Sequence, residues 1–545
     1  MEFPKINHNV KTNTLDMIRF WVLALFVGIG GGLSAVSFRL GLEELQAWLY
    51  GVPHVNVLHS YANSVPWYLI VGLPIIGGLV VGIILHRFTD DGRVRSVADV
   101  IEGAAIKDGR IEHKEGWASA MASLITLSSG GSSGREGPVV HLAAVIASWI
   151  SHKAKVNGVT GRDLMGCAAA AAVSASFNAP IAGALFAMEV VMRHFAIRSF
   201  APIVIASVSG TVINRLWFGD VTEFTIPQAN MLEFYVELPA FAILGLCSGI
   251  VATIFMMALY RADDWGGFVQ KTLRIPRWIR PMVAGAMLGV LALFFPHIIG
   301  VGYETTSAAL TGQLVFHEAV VFAVLKAVAV TITIAGRMGG GVFSPSLMLG
   351  ALTGLTFGYI AVSVFPEVSG GEPLYALAGM GAVAAAVLGS PISTIMIIFE
   401  MTGDWQTGLA VMLAVSLSTA VAASVNHKSF FLAQLSRRNV QIAAGPQAYL
   451  LHMFQVRKIM RPLEECEQLD KDALWEMVSS GHGIRAESTL GDALPQFEGQ
   501  GCEWLPVIEV NTADGPPNII GVLFLVDSLK AYNRALAATA KEEHS

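Results

Sequence analysis

The sequence predicts an all-α polytopic membrane protein with a small cytoplasmic α/β domain at its C-terminal end. Three observations carry this. Of the 545 residues, 54% are hydrophobic and 14% charged, against roughly 25% charged in a soluble domain. Eight apolar runs approach the ~20 residues that cross a bilayer: 20–36, 69–85, 200–213, 240–259, 282–295, 319–334, 347–365 and 407–425. After Arg438 the charge rises and no spanning run follows.

Taken in order, residues 1–16 form a polar N-terminal segment without a cleavable signal pattern. Many of the apolar runs are short, Gly-rich or broken by Pro, and the chain holds 55 Gly. Broken helices at membrane depth are tolerated where they line a cavity or are buried in protein, a pattern of transporters and channels. Basic residues cluster at 87–114, 261–280 and 428–461. The positive-inside tendency makes these segments cytoplasmic and puts both termini inside. Cys167, Cys247, Cys466 and Cys502 have neither metal-site nor disulfide spacing. No nucleophile constellation stands out, and the net charge of -6 does not suggest a nucleic-acid partner.

Within the apolar chain, Gly134-Arg135-Glu136-Gly137-Pro138 places an ionisable pair at membrane depth. Such charges face a water-filled path or a partner. Pro138 suits a first helical turn, and the glycines let backbone approach a ligand. The reading is a helix N-terminus with bare N–H groups, a site for anions. Glu136, itself an anion, can compete for that site and act as a gate. The alternative is a carboxylate that only stabilises a helix start, worth about 0.3–1 kcal/mol.

The membrane part also repeats itself. Gly134 to Pro138, Leu142 and Ala144 recur at an offset of 207 as Gly341 to Pro345, Leu349 and Ala351. Pro180-Ile181 and Glu189 recur at an offset of 211 as Pro391-Ile392 and Glu400. The halves run over about 17–217 and 236–438, and internal repeats put binding sites at the repeat interface. Glu189 and Glu400, at matched positions, suit a shared structural task such as binding loop amides. Lys326 is expected to be paired or to snorkel.

In residues 439–545, Thr489 before Asp492 reads as a helix cap. Residues 504–508 and 519–526 read as strands and 528–538 as a helix. Burying those strands is expected to need a partner surface, for which the twofold copy of a homodimer is the nearest candidate.

Gly-Arg-Glu-Gly-Pro at 134–138, Gly-Gly-Val-Phe-Ser-Pro at 340–345, Phe177-Asn178-Ala179-Pro180 and Glu400-Met401-Thr402 occur together in one chain. Residues 17–438 thereby resemble the CLC family of chloride channels and chloride/proton antiporters. The tail's 456–460 and 504–529 segments look like pieces of a CBS domain. The resemblance implies a homodimer in a cytoplasmic membrane, with a separate pore in each subunit and eighteen mostly tilted helices in two inverted halves. It implies chloride held by the amides of Val342 and Phe343, near Gly137, and by a serine hydroxyl, with Glu136 as the gate. No metal or other cofactor is implied, and nucleotide binding by the tail stays open.

Three positions depart from the family pattern. The family's Gly-Ser-Gly-Ile-Pro turn aligns with Arg95-Ser96-Val97-Ala98-Asp99, keeping only the serine. Its coordinating tyrosine aligns with Phe431, which has no hydroxyl. The internal glutamate of many antiporters aligns with Val190, which cannot relay a proton. These changes lean toward a channel or a weakly coupled exchanger. The alternatives are a proton-coupled antiporter with a different internal proton route and, more remotely, an integral-membrane enzyme.

Overall fold

The computed structural model describes residues 14–51, 58–62, 65–195, 197–221, 224, 234–366, 369–438, 440, 451, 454–466, 471–509 and 518–543. It divides into two compact units, residues 1–195 with 199–440, and residues 196–198 with 441–545.

The first half of the membrane part contains α1 (Thr14–Tyr50), α2 (Leu58–Ala62), α3 (Trp67–Phe88), α4 (Val97–Ile106), α5 (His113–Ser128), α6 (Glu136–Ala154), α7 (Gly158–Phe177), α8 (Pro180–Phe186) and α9 (Ile197–Phe218). The second contains α10 (Phe234–Thr272), α11 (Arg280–Phe294), α12 (Tyr303–Leu310), α13 (Phe316–Ala335), α14 (Phe343–Val364), α15 (Glu372–Leu388), α16 (Pro391–Thr402), α17 (Trp405–Val425) and α18 (Phe430–Ser436). Among the described residues eight helical stretches are long and apolar enough to cross a membrane, and each overlaps one of the eight apolar runs. Helix α1 has 37 residues and α10 has 39. At 1.5 Å per residue these span about 55–59 Å, against a hydrocarbon core of about 30 Å. They must cross obliquely or run past the bilayer.

The centre of this unit is built from alanine and glycine. Every residue of α7 from Gly161 to Phe177 is buried, as is every residue of α15 from Leu374 to Leu388. Small residues let helix backbones meet: a methyl on Gly354 would lie 2.1 Å from the Tyr375 carbonyl oxygen. Both helices end alike. Asn178 at φ 57° and Gly389 at φ 69° are left-handed C-caps, and Pro180 and Pro391 then open α8 and α16. The offset-211 repeat is thus a repeated stop-and-restart of the backbone.

The second unit has a four-stranded sheet in the order β1-β4-β3-β2. The strands are β1 (Arg461–Pro462), β2 (Ile484–Arg485), β3 (Trp504–Glu509) and β4 (Asn518–Phe524). Its helices are α19 (Lys471–Ser479), α20 (Leu490–Gln500) and α21 (Leu525–Glu543). Strands β2 and β3 are parallel, β3 and β4 antiparallel. The Asp492 carboxylate accepts from the Thr489 N–H at 2.9 Å and so opens α20. Three readings are corrected. The second strand stops at Phe524, because Leu525 and Val526 already belong to α21. That helix runs well beyond the expected 528–538. The strands also need no partner surface. Leu505, Val507 and Leu523 pack with Phe497 and Val456 in one cluster, and Val522 and Ile519 pack with Leu474 in another. Residues 514–517, between β3 and β4, lie outside the described residues.

Phe497 is 2% exposed in that core. Phe497→Ala should therefore destabilise the tail by about 3–5 kcal/mol. Tryptophan fluorescence of the full chain, which reports Trp475 and Trp504 among others, should show a low-temperature transition absent from the parent. No new transition would refute a self-contained tail core.

Candidate functional site

The two loops that matched at offset 207 meet each other. Gly134 N–H donates to the Gly341 carbonyl and Gly341 N–H to the Gly134 carbonyl, both at 2.7 Å. Glycine is required for this approach. Gly340 sits at φ +127°, and a methyl there would lie 1.9 Å from Ser133 Oγ. A methyl on Gly137 would lie 2.9 Å from Ser96 Oγ and 3.2 Å from Gly341 Cα. Helices α6 and α14 thus start back to back, each with proline in its first turn. Their first-turn N–H groups have no carbonyl partner within the helix.

Glu136, 1% exposed, crosses from one helix start to the other. Its carboxylate accepts from Ser344 N–H at 3.4 Å, from the Ser344 hydroxyl, and from Tyr303 Oη at 3.0 Å. Arg135 lies over the Tyr303 ring, 5.0 Å from its centre. A negative group of the first half is thereby held on the N-terminal donors of the second. Sequence reasoning missed two of these donors. Ser344 was visible inside the repeated turn. Tyr303, 167 residues from Glu136, gave no signal beyond its place after Gly302. Lys326, fully buried, fixes the loop before Tyr303 by donating to the carbonyls of Gly300 at 3.0 Å and Ile298 at 3.3 Å.

Ser96, Gly137, Val342 and Phe343 gather around the same point. Val342 and Phe343 are buried at the start of α14, with the Phe343 ring 4.9 Å from Phe177 and 5.8 Å from Phe186. A cavity of about 140 Å³ reaches Ser96, Gly341 and Val342, and four arginines, Arg93, Arg337, Arg437 and Arg438, help line it. Tyr260 and Phe430 are its aromatic lining. Phe431 is 3% exposed one position further into α18, a helix that packs on α4.

The matched glutamates exchange partners. Glu189 accepts from Ile392 N–H at 2.9 Å and from Ser393 N–H at 2.8 Å, at the start of α16. Glu400 accepts from Ile181 N–H at 2.9 Å and Ala182 N–H at 2.7 Å, at the start of α8. Each half supplies the anion that satisfies the other half's helix end. Val190, 5% exposed, lies beside Glu189 in a π-helical turn, Ala187–Met192. Among the described residues no group of acidic, His or Cys side chains could hold a metal ion.

Residues 77–423 match the family model described as voltage gated chloride channel. The chain belongs to this family, the CLC proteins. A putative chloride channel protein ClcB-like from Ralstonia nicotianae is 30% identical over 430 residues, covering 78% of this chain and 99% of the relative. A slow cyanobacterial Cl-/H+ antiporter has the same fold, with a TM-score of 0.68 at 20% identity over 77% of this chain and 98% of that one. A eukaryotic CLC transporter gives a TM-score of 0.66 at 16% identity, over 94% of this chain and 98% of that one.

In this CLC protein Ser96 sits in a charge network. Asp99 accepts from Ser96 N–H at 2.8 Å and pairs with Arg438 at 2.8 Å. Arg95 bonds Glu115 at 2.9 Å and Asp91 at 3.0 Å. Burial opposes the Arg95 charge, but Glu115, Asp99 and Asp91 outweigh it and hold the guanidinium above its ordinary value. The residues that break the motif thus fix its serine by other means.

Removing either exchanged glutamate leaves helix-end amides without an acceptor. Glu189→Ala and Glu400→Ala should each cost about 1–3 kcal/mol, read as a lower unfolding temperature in detergent. A Val190→Ala control should cost less than either, and equal losses in all three would argue against the cross-capping role.

Proposed function

We propose that this protein carries chloride across a membrane along a path between the starts of α6 and α14, with Glu136 as its gate. The observation that carries this reading is the placement of the Glu136 carboxylate on Ser344, at the start of α14. A site that holds a carboxylate on backbone and hydroxyl donors is suited to another small anion. Partial charges bind chloride well enough to replace water and weakly enough to release it. In this reading the amides of Val342 and Phe343, the Gly137 backbone and the Ser96 hydroxyl take up chloride when Glu136 leaves, and Phe431 narrows the path. The arginine-lined cavity beside Ser96 concentrates anions at one mouth.

The protein is read as a transporter and not an enzyme, a homodimer of a cytoplasmic membrane with both termini inside and a pore in each subunit. The membrane domain ends near Arg438, and the tail is a CBS-like module whose binding of nucleotides is left open. Val190 offers no proton relay, which favours conduction or weakly coupled exchange. Proton-coupled exchange by another internal route is the second reading, favoured by the likeness in fold to a Cl-/H+ antiporter.

Glu136→Gln removes the competing charge, so chloride efflux from proteoliposomes should lose its dependence on pH between acidic and neutral conditions. A pH profile unchanged from the parent would sink the gate assignment. For coupling, a chloride gradient imposed on voltage-clamped liposomes should drive no uphill proton movement. Sustained proton uptake would establish the antiporter reading and require a route that bypasses Val190.

A further inference from the structure

Away from the anion site, α10, α11, α13 and α14 enclose a groove of about 940 Å³. Its wall offers almost no hydrogen bonding. The hydroxyls of Thr331, Thr353 and Thr356 all face it, and each donates to a carbonyl of its own helix at 2.7–2.8 Å. The remaining surface is chiefly aliphatic, including Ile254 and Val324, each 60% exposed. An occupant of this part must be hydrocarbon, because a polar group would lose its hydration without replacement.

One end of the groove is different. There Trp265, Gln270, Ile275 and Arg280 line it. Arg280 is committed, bonding Asp263 at 2.8 Å and the Ala335 carbonyl at 2.6 Å. The segment that turns from α10 into α11 passes through Gln270, Ile275 and Arg280 and also carries Lys271, Arg274 and Arg277. All three cations are exposed and form no ion pair among the described residues. Tryptophan and basic side chains at the end of spanning helices mark the level of lipid headgroups. Basic residues there attract anionic headgroups by about 1 kcal/mol each.

We infer that this groove is a binding site for a diacyl anionic phospholipid, with its acyl chains between α10 and α13 and its phosphate at Lys271, Arg274 and Arg277. The second observation selects the occupant. A helix or a second copy of the chain would satisfy the apolar wall but not the three unpaired cations, whereas a zwitterionic lipid would satisfy them poorly. The inference does not depend on what the protein transports.

The test uses the full chain purified in detergent and titrated with phosphatidylglycerol or phosphatidylcholine of identical acyl chains. Bound lipid is counted by native mass spectrometry. Phosphatidylglycerol should bind saturably and at least tenfold tighter. Lys271→Gln, Arg274→Gln and Arg277→Gln together should abolish that preference, at about fivefold per cation. Val324→Trp, an exposed position that leaves the helix core intact, should reduce retention of both lipids by filling the groove. A photoactivatable phosphatidylglycerol should label the peptides containing Trp265 and Val324 in the parent protein. Equal binding of the two lipids by the parent would mean bulk lipid contact and overturn the proposal. So would lipid retention that Val324→Trp leaves unchanged, or labelling that maps elsewhere. Self-association lost in Val324→Trp, without lipid bound, would assign the groove to a second copy instead.

Discussion

Two reciprocal hydrogen bonds between Gly134 and Gly341 join the halves of the membrane unit at their most polar point. Broken backbone at membrane depth needs partners for its N–H and C=O groups. Here each half supplies them to the other. The same solution recurs where Glu189 and Glu400 reach across to the starts of α16 and α8. The broken helix ends are therefore satisfied in pairs. Alanine and glycine in α7, α14 and α15 follow from that, since only small residues let the helix starts converge.

Hydropathy made the spanning helices legible because it needs no tertiary information: an apolar run of sufficient length has one stable placement. The turns at Gly134 and Gly341 were legible because glycine and proline encode backbone geometry locally. Tyr303 and the Asp99–Arg438 pair were not, because they depend on which distant helix arrives beside them. Which residue of α18 lines the cavity beside Ser96 depends likewise on helical phase, which places Phe430 there. In the tail, β1 and β2 are two residues each, too short for any periodic signal, and without them β3 and β4 looked unable to bury both faces.

The charge network around Ser96 shows how side-chain bonds can fix a turn that lacks glycine and proline. A Gly-and-Pro turn sets backbone direction through dihedral preference. In this chain Asp99 sets it by accepting the Ser96 N–H, and Arg438, at the end of the membrane unit, anchors Asp99. A largely buried acid without its base would be costly, so Asp99 and Arg438 depend on each other.

Broken symmetry explains why a single carboxylate sits where the two helix starts meet. At an offset of 207, Glu136 corresponds to Phe343, Gly137 to Ser344 and Ser133 to Gly340. A perfect repeat would bring two carboxylates to one centre, where like charges disfavour each other's ionisation. Instead one half supplies the anion and the other supplies the hydroxyl that receives it, while Phe343 packs against Phe177 and Phe186. Ser133 faces Gly340 because a second side chain would collide at 1.9 Å. The frame keeps the twofold relation in its backbone and breaks it in each side chain that meets the centre, which leaves one carboxylate facing one set of donors.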